Sequence, residues 1–313
     1  MTRSIVYTSF GGPEVLTLAT IPTPEPRPGH IVVRVEAAGV NPIDAKLRAG
    51  RRASAPLTKP RHVGRDGAGV VVAVGDDVEG FRVGEPVAFR DTSGAYASEV
   101  LVQASHAVPR PPHVTAAAAA GIGIPVGTAY QSLKSLAVGP GDTLLLHAGS
   151  GAVGQAAIQY AVLWGATVIA TASERRFDRV RALGAMPVAY GHGLVERLRT
   201  AAPQGVTVAL DAAGTDEAIE ASLALVPDPH RIATLVRGAD AADFGIRAFS
   251  GGGPAPLSDT ELAWRAEALP VTVALMAAGA FQIEEGPSFP LAAACDAHRA
   301  IEAGVDGKIV LLP

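Results

Sequence analysis

Three glycines, Gly149, Gly151 and Gly154, form a G-x-G-x-x-G pattern between a short apolar run at 144–146 and an Ala- and Ile-rich segment. This strand–turn–helix context suits a dinucleotide pyrophosphate. The first glycine allows the tight turn, the second lets backbone N–H groups approach the phosphates, and the third lets the helix pack against the strand. The positive end of the helix dipole then faces the diphosphate. The loop residues predicted to bind a nucleotide are Gly149, Ser150, Gly151, Ala152, Val153 and Gly154.

The residues about 20 positions beyond this motif predict which nicotinamide cofactor is bound. An acidic residue there normally binds the ribose of NAD, whereas arginine favours NADP. The chain has Ser173, Glu174, Arg175 and Arg176. A hydroxyl and two guanidinium groups suit a 2′-phosphate, because arginine binds phosphate through paired hydrogen bonds. Glu174, in contrast, favours NAD. The alternative is that none of these residues binds a cofactor: Glu174 lies in the first turn of the next helix, where the dipole favours acidic residues, and both arginines are solvated. We predict NADPH.

Length and composition narrow the function classes. The chain has 313 residues, 48% hydrophobic and 18% charged, with a formal net charge of −4. That length predicts two domains, and the charge gives no general attraction to nucleic acid or to an anionic membrane. No apolar stretch is long enough to span a bilayer, and the N-terminus lacks a long apolar signal region, so we expect a cytoplasmic protein. The single cysteine, Cys295, cannot form a disulfide within the chain, and the eight histidines lack the spacing of metal ligands, so we expect neither a disulfide nor a metal site.

The pattern of apolar runs changes near Gly141. Residues 1 to about 115 are rich in Gly and Pro with short β-branched runs, which predicts a compact all-β unit. From Gly141 strands and helices alternate, which predicts a parallel sheet covered on both faces. Strands are predicted at 31–35, 69–74, 86–89, 99–102, 143–147, 167–171, 206–211, 231–236 and 308–312. Helices are predicted at 116–136 (broken at Pro125 and Gly127), 152–164, 175–183, 215–225, 262–278 and 291–301.

Several motifs in a fixed order resemble the medium-chain dehydrogenase/reductase superfamily, in its zinc-less quinone oxidoreductase branch. They are AAGVNPID at 37–44, GRDGAGVVVAVG at 64–75, GAYA at 94–97, GTAY at 127–130, the glycine loop and GKIVL at 307–311. The resemblance implies an α/β fold: a GroES-like β-rich substrate domain at 1–117 and 254–313, plus a Rossmann doubly wound cofactor domain at 118–253. It also implies hydride transfer from NADPH to a quinone or to the C=C bond of an enone.

The resemblance also implies roles for individual residues. Zinc-dependent relatives carry ligands where this chain has Asn41, Arg65 and Ile124, so no zinc is expected. Asn41 and Thr128 are implied to lie near the nicotinamide and to hold its carboxamide or the substrate carbonyl, with no classical acid–base residue. Asn41-Pro42 is otherwise a plain turn, and Thr128 a hydroxyl at a helix N-terminus. The other residues predicted from this comparison to bind the cofactor are Tyr190 and Leu235.

Three further features leave alternatives open. The segment 46–65 has seven basic and no acidic residues, Arg51 among them. It is either a solvated loop or a docking surface for a coenzyme A or carrier-protein thioester. The docking surface would make the protein an enoyl-thioester reductase, the second functional hypothesis after the reduction of a quinone or enone. A third hypothesis is a non-catalytic NADPH-binding protein. The glycine-rich loop 251–254 suggests a hinge or lid. Apolar residues at 243–250 suggest an edge strand that forms a homodimer.

Overall fold

A computed structural model describes residues 1–52, 54–249 and 255–313, and it divides the chain into two compact units. The first unit comprises Met1–Ile124 and Leu269–Pro313, and the second comprises Pro125–Ala268. Both ends of the chain therefore belong to one unit, with the other inserted between them. The domain boundaries predicted at 117/118 and 253/254 stay a prediction.

The first unit is built mainly from antiparallel strands. The long strand β3 (His30–Gly39) pairs with β5 (Asp66–Val74), β7 (Glu99–Gln103) and β16 (Lys308–Leu312). The pairing with β16 brings the chain's final strand back to the first domain, as predicted. Valines and isoleucines that alternate along β3, such as Ile31 and Val33, are fully buried in its core. The strands of this unit are β1 Thr2–Tyr7, β2 Thr17–Ile21, β3 His30–Gly39, β4 Arg61–His62, β5 Asp66–Val74, β6 Pro86–Phe89, β7 Glu99–Gln103, β8 Ala107–Pro109, β15 Glu285–Pro290 and β16 Lys308–Leu312.

The second unit contains a parallel sheet of six strands: β9 Thr143–His147, β10 Thr167–Ala172, β11 Met186–Ala189, β12 Val208–Asp211, β13 Ile232–Thr234 and β14 Arg247–Ala248. Their order in the sheet is β11-β10-β9-β12-β13-β14. This order corresponds to 3-2-1-4-5-6, the arrangement of a dinucleotide-binding sheet, so the predicted Rossmann fold is confirmed. Leu145, Ile169 and Ala209 of adjacent strands are buried in its core.

Helices connect and cover these strands. In the described ranges they are α1 Pro42–Arg48, α2 Ala116–Ala120, α3 Gly123–Ser135, α4 Ala152–Leu163, α5 Phe177–Ala182, α6 Leu194–Ala201, α7 Asp216–Leu225, α8 Asp259–Ala277 and α9 Ala294–Glu302. Among the described residues no helix is long and apolar enough to cross a membrane. The cytoplasmic location stays a prediction.

Some predictions of local structure were wrong. The predicted all-β unit contains α1, which begins after Asn41 because the Asp44 carboxylate accepts the Asn41 backbone N–H at 3.0 Å. The helical segment breaks at 121–122, and α3 runs through Pro125 and Gly127. Pro125 lies in the first turn of α3, where a missing N–H costs little. The helix α6 and six strands were also not predicted, namely β1, β2, β4, β8, β11 and β15.

The predicted dimer edge exposes fewer apolar side chains than the sequence suggested. The strand β14 does lie at the edge of the sheet, but Ile246 and Phe249 beside it are buried within the unit. Two of the apolar residues that suggested an interface are therefore covered within the unit, whereas Phe244 and Ala248 are half-buried. The homodimer stays a prediction. The predicted hinge at 251–254 and the end of this segment, Ser250, lie outside the described residues.

We predict that Gly154→Ala destabilises the second unit. A Cβ at Gly154 would lie 2.3 Å from the Ala148 carbonyl oxygen and 2.7 Å from the Gly149 Cα. These are backbone atoms that cannot turn aside, so we expect a loss of about 1–3 kcal/mol in the free energy of unfolding. Gly139→Ala is the matched control, since nothing lies within 4 Å of its Cβ. Urea denaturation of both variants measures the difference, and equal stability would contradict the packing argument.

Candidate cofactor and substrate sites

Apart from Thr128, which lies within α3, the predicted cofactor-binding residues of the second unit follow the carboxyl ends of its parallel strands. The glycine loop follows β9, Ser173 follows β10, Tyr190 follows β11 and Leu235 follows β13. Carboxyl ends of parallel strands share one edge, and ligands bind where the strand order reverses, here between β9 and β12. The fold thus brings together residues that are up to 86 positions apart in the sequence (from Gly149 to Leu235).

The glycine loop has no space for a side chain at Gly149, but it does at Gly151, where a phosphate would approach. A Cβ at Gly149 would lie 2.5 Å from the Ala170 Cβ, whereas a Cβ at Gly151 would have only the Ala148 oxygen nearby, at 3.5 Å. Gly151 is the N-cap of α4 and no side chain caps the helix there. Gly151 and Ala152 are exposed, so the first N–H groups of α4 face outward with the positive end of the helix dipole. The loop fits a diphosphate.

Gln155 and Arg179 support this loop, and the sequence analysis missed both. The Gln155 Nε2 donates to the Ser150 carbonyl oxygen at 2.8 Å, and its Oε1 accepts from the Arg179 Nε at 2.8 Å. The carbonyl of Ser150 is thereby held by the helix side chain. Arg179 follows Arg175 by four positions, one helical turn, and that spacing was the available signal.

The residues predicted to select NADPH lie just beyond β10. Ser173 precedes a 3-10 turn, Glu174–Arg176, and its carbonyl accepts the Arg176 N–H at 2.8 Å. Arg175 and Glu174 are exposed, Arg176 is half-buried and Tyr190 is 61% exposed. Glu174 does occupy the first turn of a helical segment, where the helix dipole by itself favours an acidic residue. The roles of these residues, and of Leu235, stay predictions.

Thr128 is buried in the interior of α3, at the sixth residue of the helix rather than at its N-terminus. Its Oγ1 accepts a hydrogen bond from the Arg265 Nη2 at 2.7 Å. The Arg265 side chain also lies against Gly127, where a Cβ would come within 3.0 Å of the Arg265 Cγ. Sequence reasoning missed Arg265, which is 137 residues away from Thr128.

Asn41 lies in a buried polar cluster of the first unit. Its Nδ2 donates to the Asp66 Oδ2 at 2.9 Å, and its Oδ1 accepts from the Lys308 Nζ at 2.5 Å. Lys308 also donates to the Val40 carbonyl oxygen at 2.8 Å. Asn41 is fully buried, and both ends of its amide are partnered. Its predicted contact with the nicotinamide or the substrate stays a prediction, and the observed role is a bridge between a carboxylate and an ammonium group.

Three further residues, Tyr96, Asp44 and Ile124, belong to this cluster. The Tyr96 hydroxyl donates to the Asp44 Oδ2 at 3.2 Å, and the Ile124 N–H donates to the Asp66 Oδ2 at 2.7 Å. The other oxygen of Asp66, Oδ1, has no hydrogen-bond partner among the described residues. It faces Gly123, where a Cβ would come within 2.3 Å of it. Gly123 is therefore required at the start of α3 for the Asp66 carboxylate to fit.

Burial shifts the pKa of each ionisable group in the cluster. Desolvation, reinforced by the nearby Asp66 charge, raises the pKa of Asp44 to about 7, although hydrogen bonds and Lys308 oppose it. Burial also raises the pKa of Asp66 and of Tyr96, and it lowers the pKa of Lys308 to about 8. With both carboxylates ionised the cluster would carry a net charge of −1, so a proton on Asp44 makes it neutral.

This chemistry does not fit a zinc ion. The residue at the first expected ligand position, Asn41, binds an ammonium group, which would repel a divalent cation. The residues at the other two positions, Arg65 and Ile124, have no zinc-binding atoms in their side chains. The described residues contain no group of three His, Cys, Asp or Glu side chains that could hold a metal ion.

Comparison with known proteins identifies the family. A family model described as the alcohol dehydrogenase GroES-like domain matches residues 27–112, and one described as zinc-binding dehydrogenase matches 152–244. Human quinone oxidoreductase is 38% identical over 182 residues, which are 57% of this chain and 55% of that protein. This chain spans a little over half the length of the first curated relatives that it matches.

Solved structures match the whole chain. The mycobacterial protein Rv1454c, complexed with NADPH, is 30% identical, with 100% of both chains covered and a TM-score of 0.83. An NAD-dependent alcohol dehydrogenase is 31% identical, with 99% of both chains covered and the same TM-score of 0.83. The chain belongs to the medium-chain dehydrogenase/reductase superfamily. The predicted resemblance and fold class are confirmed.

The raised pKa of Asp44 predicts a pH dependence of stability. Between pH 4 and 7 the unfolded chain has this carboxyl ionised while the folded protein keeps it protonated. The folded state then binds more protons, so this residue makes the free energy of unfolding fall as the pH rises. Asp44→Asn mimics the protonated form and should remove that decrease.

We expect wild-type stability to fall by about 2–4 kcal/mol relative to Asp44→Asn from pH 4 to pH 7. Urea titrations at both pH values measure the difference, because contributions from other titrating groups cancel in the comparison. Asp243→Asn, at an exposed position, is the control. Parallel pH profiles for wild type and Asp44→Asn would rule out a buried protonated Asp44.

Proposed function

We propose that the protein is an NADPH-dependent oxidoreductase that reduces a quinone or the activated C=C bond of an α,β-unsaturated carbonyl compound, without zinc. The observation that carries the proposal is the uncapped N-terminus of α4 behind the glycine loop, at the switch point of a 3-2-1-4-5-6 sheet. The NADPH complex of Rv1454c and the quinone oxidoreductase relatives support it.

The choice of NADPH rests on the residues after β10. Ser173 supplies a hydroxyl, and Arg175 and Arg176 supply guanidinium groups that bind a 2′-phosphate well. Arg179 lies one turn beyond Arg175 and adds a third positive charge. The hydrogen bond from its Nε to Gln155 fixes the position of that charge. An NAD-dependent relative of similar identity shows that family membership alone does not select the cofactor. The selection depends on these side chains.

Reduction of an enone or a quinone makes modest demands on the protein. When bound, NADPH supplies a hydride, which for an enone adds at the β-carbon; water protonates the α-carbon. The protein has to orient the reactants and stabilise the charge on the substrate oxygen, which is a matter of positioning and electrostatics. The Thr128 hydroxyl, held by Arg265, is one group that we propose for this role. The contact of Asn41 with the nicotinamide or the substrate is proposed from the family resemblance alone, because its amide is buried and already bound by Asp66 and Lys308.

The exposed basic segment supports an enoyl-thioester reductase as the second candidate. Arg48 is not part of such a surface, because it is buried and pairs with Glu302 at 2.5 Å. Arg61 lies over the Tyr7 ring at 5.9 Å and is partly committed to the fold. Arg51 is exposed and is the residue through which an anionic handle would be recognised.

The cofactor preference predicts that Arg175→Met with Arg176→Met weakens NADPH binding by about tenfold or more. NADH has no 2′-phosphate, so its dissociation constant should change less than threefold. Fluorescence titration with both nucleotides measures this. Arg199→Met, at an exposed position of α6 where the arginine pairs with Glu196, is the matched control. Equal weakening for both nucleotides would mean that these arginines do not select the phosphate.

The reaction is tested by NADPH oxidation at 340 nm with 1,4-benzoquinone, an alkyl enone and crotonyl-CoA in parallel, with NADH as the control. We expect turnover of the quinone or the enone with NADPH preferred. Binding of NADPH without oxidation in any of the three assays would favour a non-catalytic nucleotide-binding protein.

The thioester candidate makes a separate prediction. Charge reversal at Arg51 should raise the KM for crotonyl-CoA by about fivefold and leave the KM for a free enone unchanged, because only the thioester carries phosphates. Lys59→Glu, at another exposed position of the same segment, changes the net charge by the same amount. It tests whether the rise in the KM for crotonyl-CoA depends on Arg51 itself or only on the net charge of the segment. The same change in KM for both substrates would exclude recognition of the phosphates by Arg51.

A further inference from the structure

His147 is the last residue of β9 and lies directly before the glycine loop. It is 1% exposed, and neither the sequence analysis nor the proposed function gives it a role. Its Nε2 lies 3.2 Å from the Ser222 Oγ on α7, and its Nδ1 lies 3.3 Å from the Thr171 Oγ1 on β10. One ring therefore joins the central strand of the sheet to a neighbouring strand and to a covering helix.

The partners of the two hydroxyl groups fix the direction of each hydrogen bond. The Ser222 hydroxyl donates its one hydrogen to the Ala218 carbonyl oxygen at 2.8 Å, so towards His147 it accepts. The Nε2 of His147 must then carry the proton, and Nδ1 is left as an acceptor for the Thr171 hydroxyl. The Thr171 Oγ1 in turn accepts the backbone N–H of Ala148 at 3.2 Å. Every donor in this chain of hydrogen bonds has an acceptor.

The neutral ring is consistent with its surroundings. Burial lowers the pKa of His147 to about 4, although the charges of Asp211 and Glu217 act in the opposite direction. A second proton on Nδ1 would place an N–H against the Thr171 hydroxyl and displace its hydrogen. The observed arrangement therefore requires the neutral tautomer with hydrogen on Nε2.

Thr171 holds the start of the glycine loop at two successive residues. Its side chain accepts the Ala148 N–H, and its carbonyl oxygen accepts the Gly149 N–H at 2.9 Å. Ala148 has a φ of +59°, in the left-handed region that costs a residue with a Cβ about 1–2 kcal/mol. A strained residue at the first position of the loop keeps its conformation only when its neighbours determine it.

We propose that His147 is a positioning residue for the nicotinamide cofactor. Its Nδ1 fixes the rotamer of the Thr171 hydroxyl, and the oxygen of that hydroxyl holds Ala148 in the left-handed conformation from which the glycine loop starts. This role rests on the proposed function, since it assumes that the loop binds the diphosphate of NADPH. His147 acts through Thr171 and the backbone, and it need not contact the cofactor.

Two substitutions of His147 separate the two sides of the ring. In His147→Asn the side-chain oxygen lies near the position of Nδ1 and still accepts from Thr171. In His147→Gln the amide reaches towards Ser222 and leaves the Thr171 hydroxyl without its acceptor. We expect Asn to keep the NADPH dissociation constant within about threefold of wild type. We expect Gln and Thr171→Val to raise it by about tenfold, the cost of one lost buried hydrogen bond.

Two controls accompany these variants. Thr171→Ser keeps the hydroxyl and should bind NADPH like wild type. Thr167→Val, at the exposed first residue of the same strand, removes a hydroxyl without touching the loop. Thermal unfolding of each variant shows whether it is folded. Unchanged NADPH affinity in folded His147→Gln and Thr171→Val would overturn the proposal, and so would equal weakening in Asn and Gln.

A measurement on the wild-type protein keeps the proposal testable if the variants do not fold. Long-range ¹⁵N–¹H NMR spectra at pH 7 distinguish the two neutral tautomers and the imidazolium form of a histidine. The proposal requires a proton on Nε2 alone, and either other form would overturn it. Failure of the wild-type protein to bind NADPH or NADH would instead overturn the proposed function and the cofactor role with it, while the spectrum still tests the hydrogen-bond chain.

Discussion

The second unit depends on how closely the N-terminus of α4 approaches the end of β9. The absence of a Cβ at Gly154 lets the helix start directly above the strand, where it meets the backbone of the turn, and the absence of a Cβ at Gly149 lets the turn pass close to Ala170 of β10. That contact fixes the direction in which the first N–H groups of α4 point. It also leaves Gly151 as the one glycine of the motif with open space beside it. A site for an anionic group follows from this packing without any charged side chain in the loop itself.

Each unit buries polar groups next to its candidate site, and the two do so in different ways. In the first unit, the Asn41 amide lies between the Lys308 ammonium and the Asp66 carboxylate, and the raised pKa of Asp44 favours a proton on that carboxyl, which would bring the cluster to neutrality. In the second unit, His147 is kept neutral and its hydrogen bonds run in one direction through Thr171 and Ser222. Both solutions avoid an unpaired buried charge, which is the costly alternative. Both also fix a residue next to a predicted binding site, Asn41 in the first unit and Ala148 in the second.

Sequence reasoning recovered the parallel sheet best, because its strands are continuous apolar runs bounded by glycine. Strands β9 and β10 were predicted to within a residue, and β12 and β13 to within two. It failed at α1, because Asn41-Pro42 also fits a turn and the capping by Asp44 needs the carboxylate to fold back. It placed Asn41 near the reaction by resemblance, but it had no means to find Lys308 as its partner. These two residues are 267 positions apart.

The sequence by itself determined the family, the Rossmann and GroES-like classes of fold and the loop that suits a diphosphate, because each depends on local patterns of glycine and apolar residues. Only the tertiary structure decided which polar atoms meet: the Arg265 guanidinium on the Thr128 hydroxyl, the Lys308 ammonium on the Asn41 amide, and the His147 ring between Thr171 and Ser222. Hydrogen bonds and burial act over about 3 Å in space, and they join residues whose separation in the chain carries no periodic signal. For the same reason the pKa of Asp44 follows from its surroundings and not from its place in a motif.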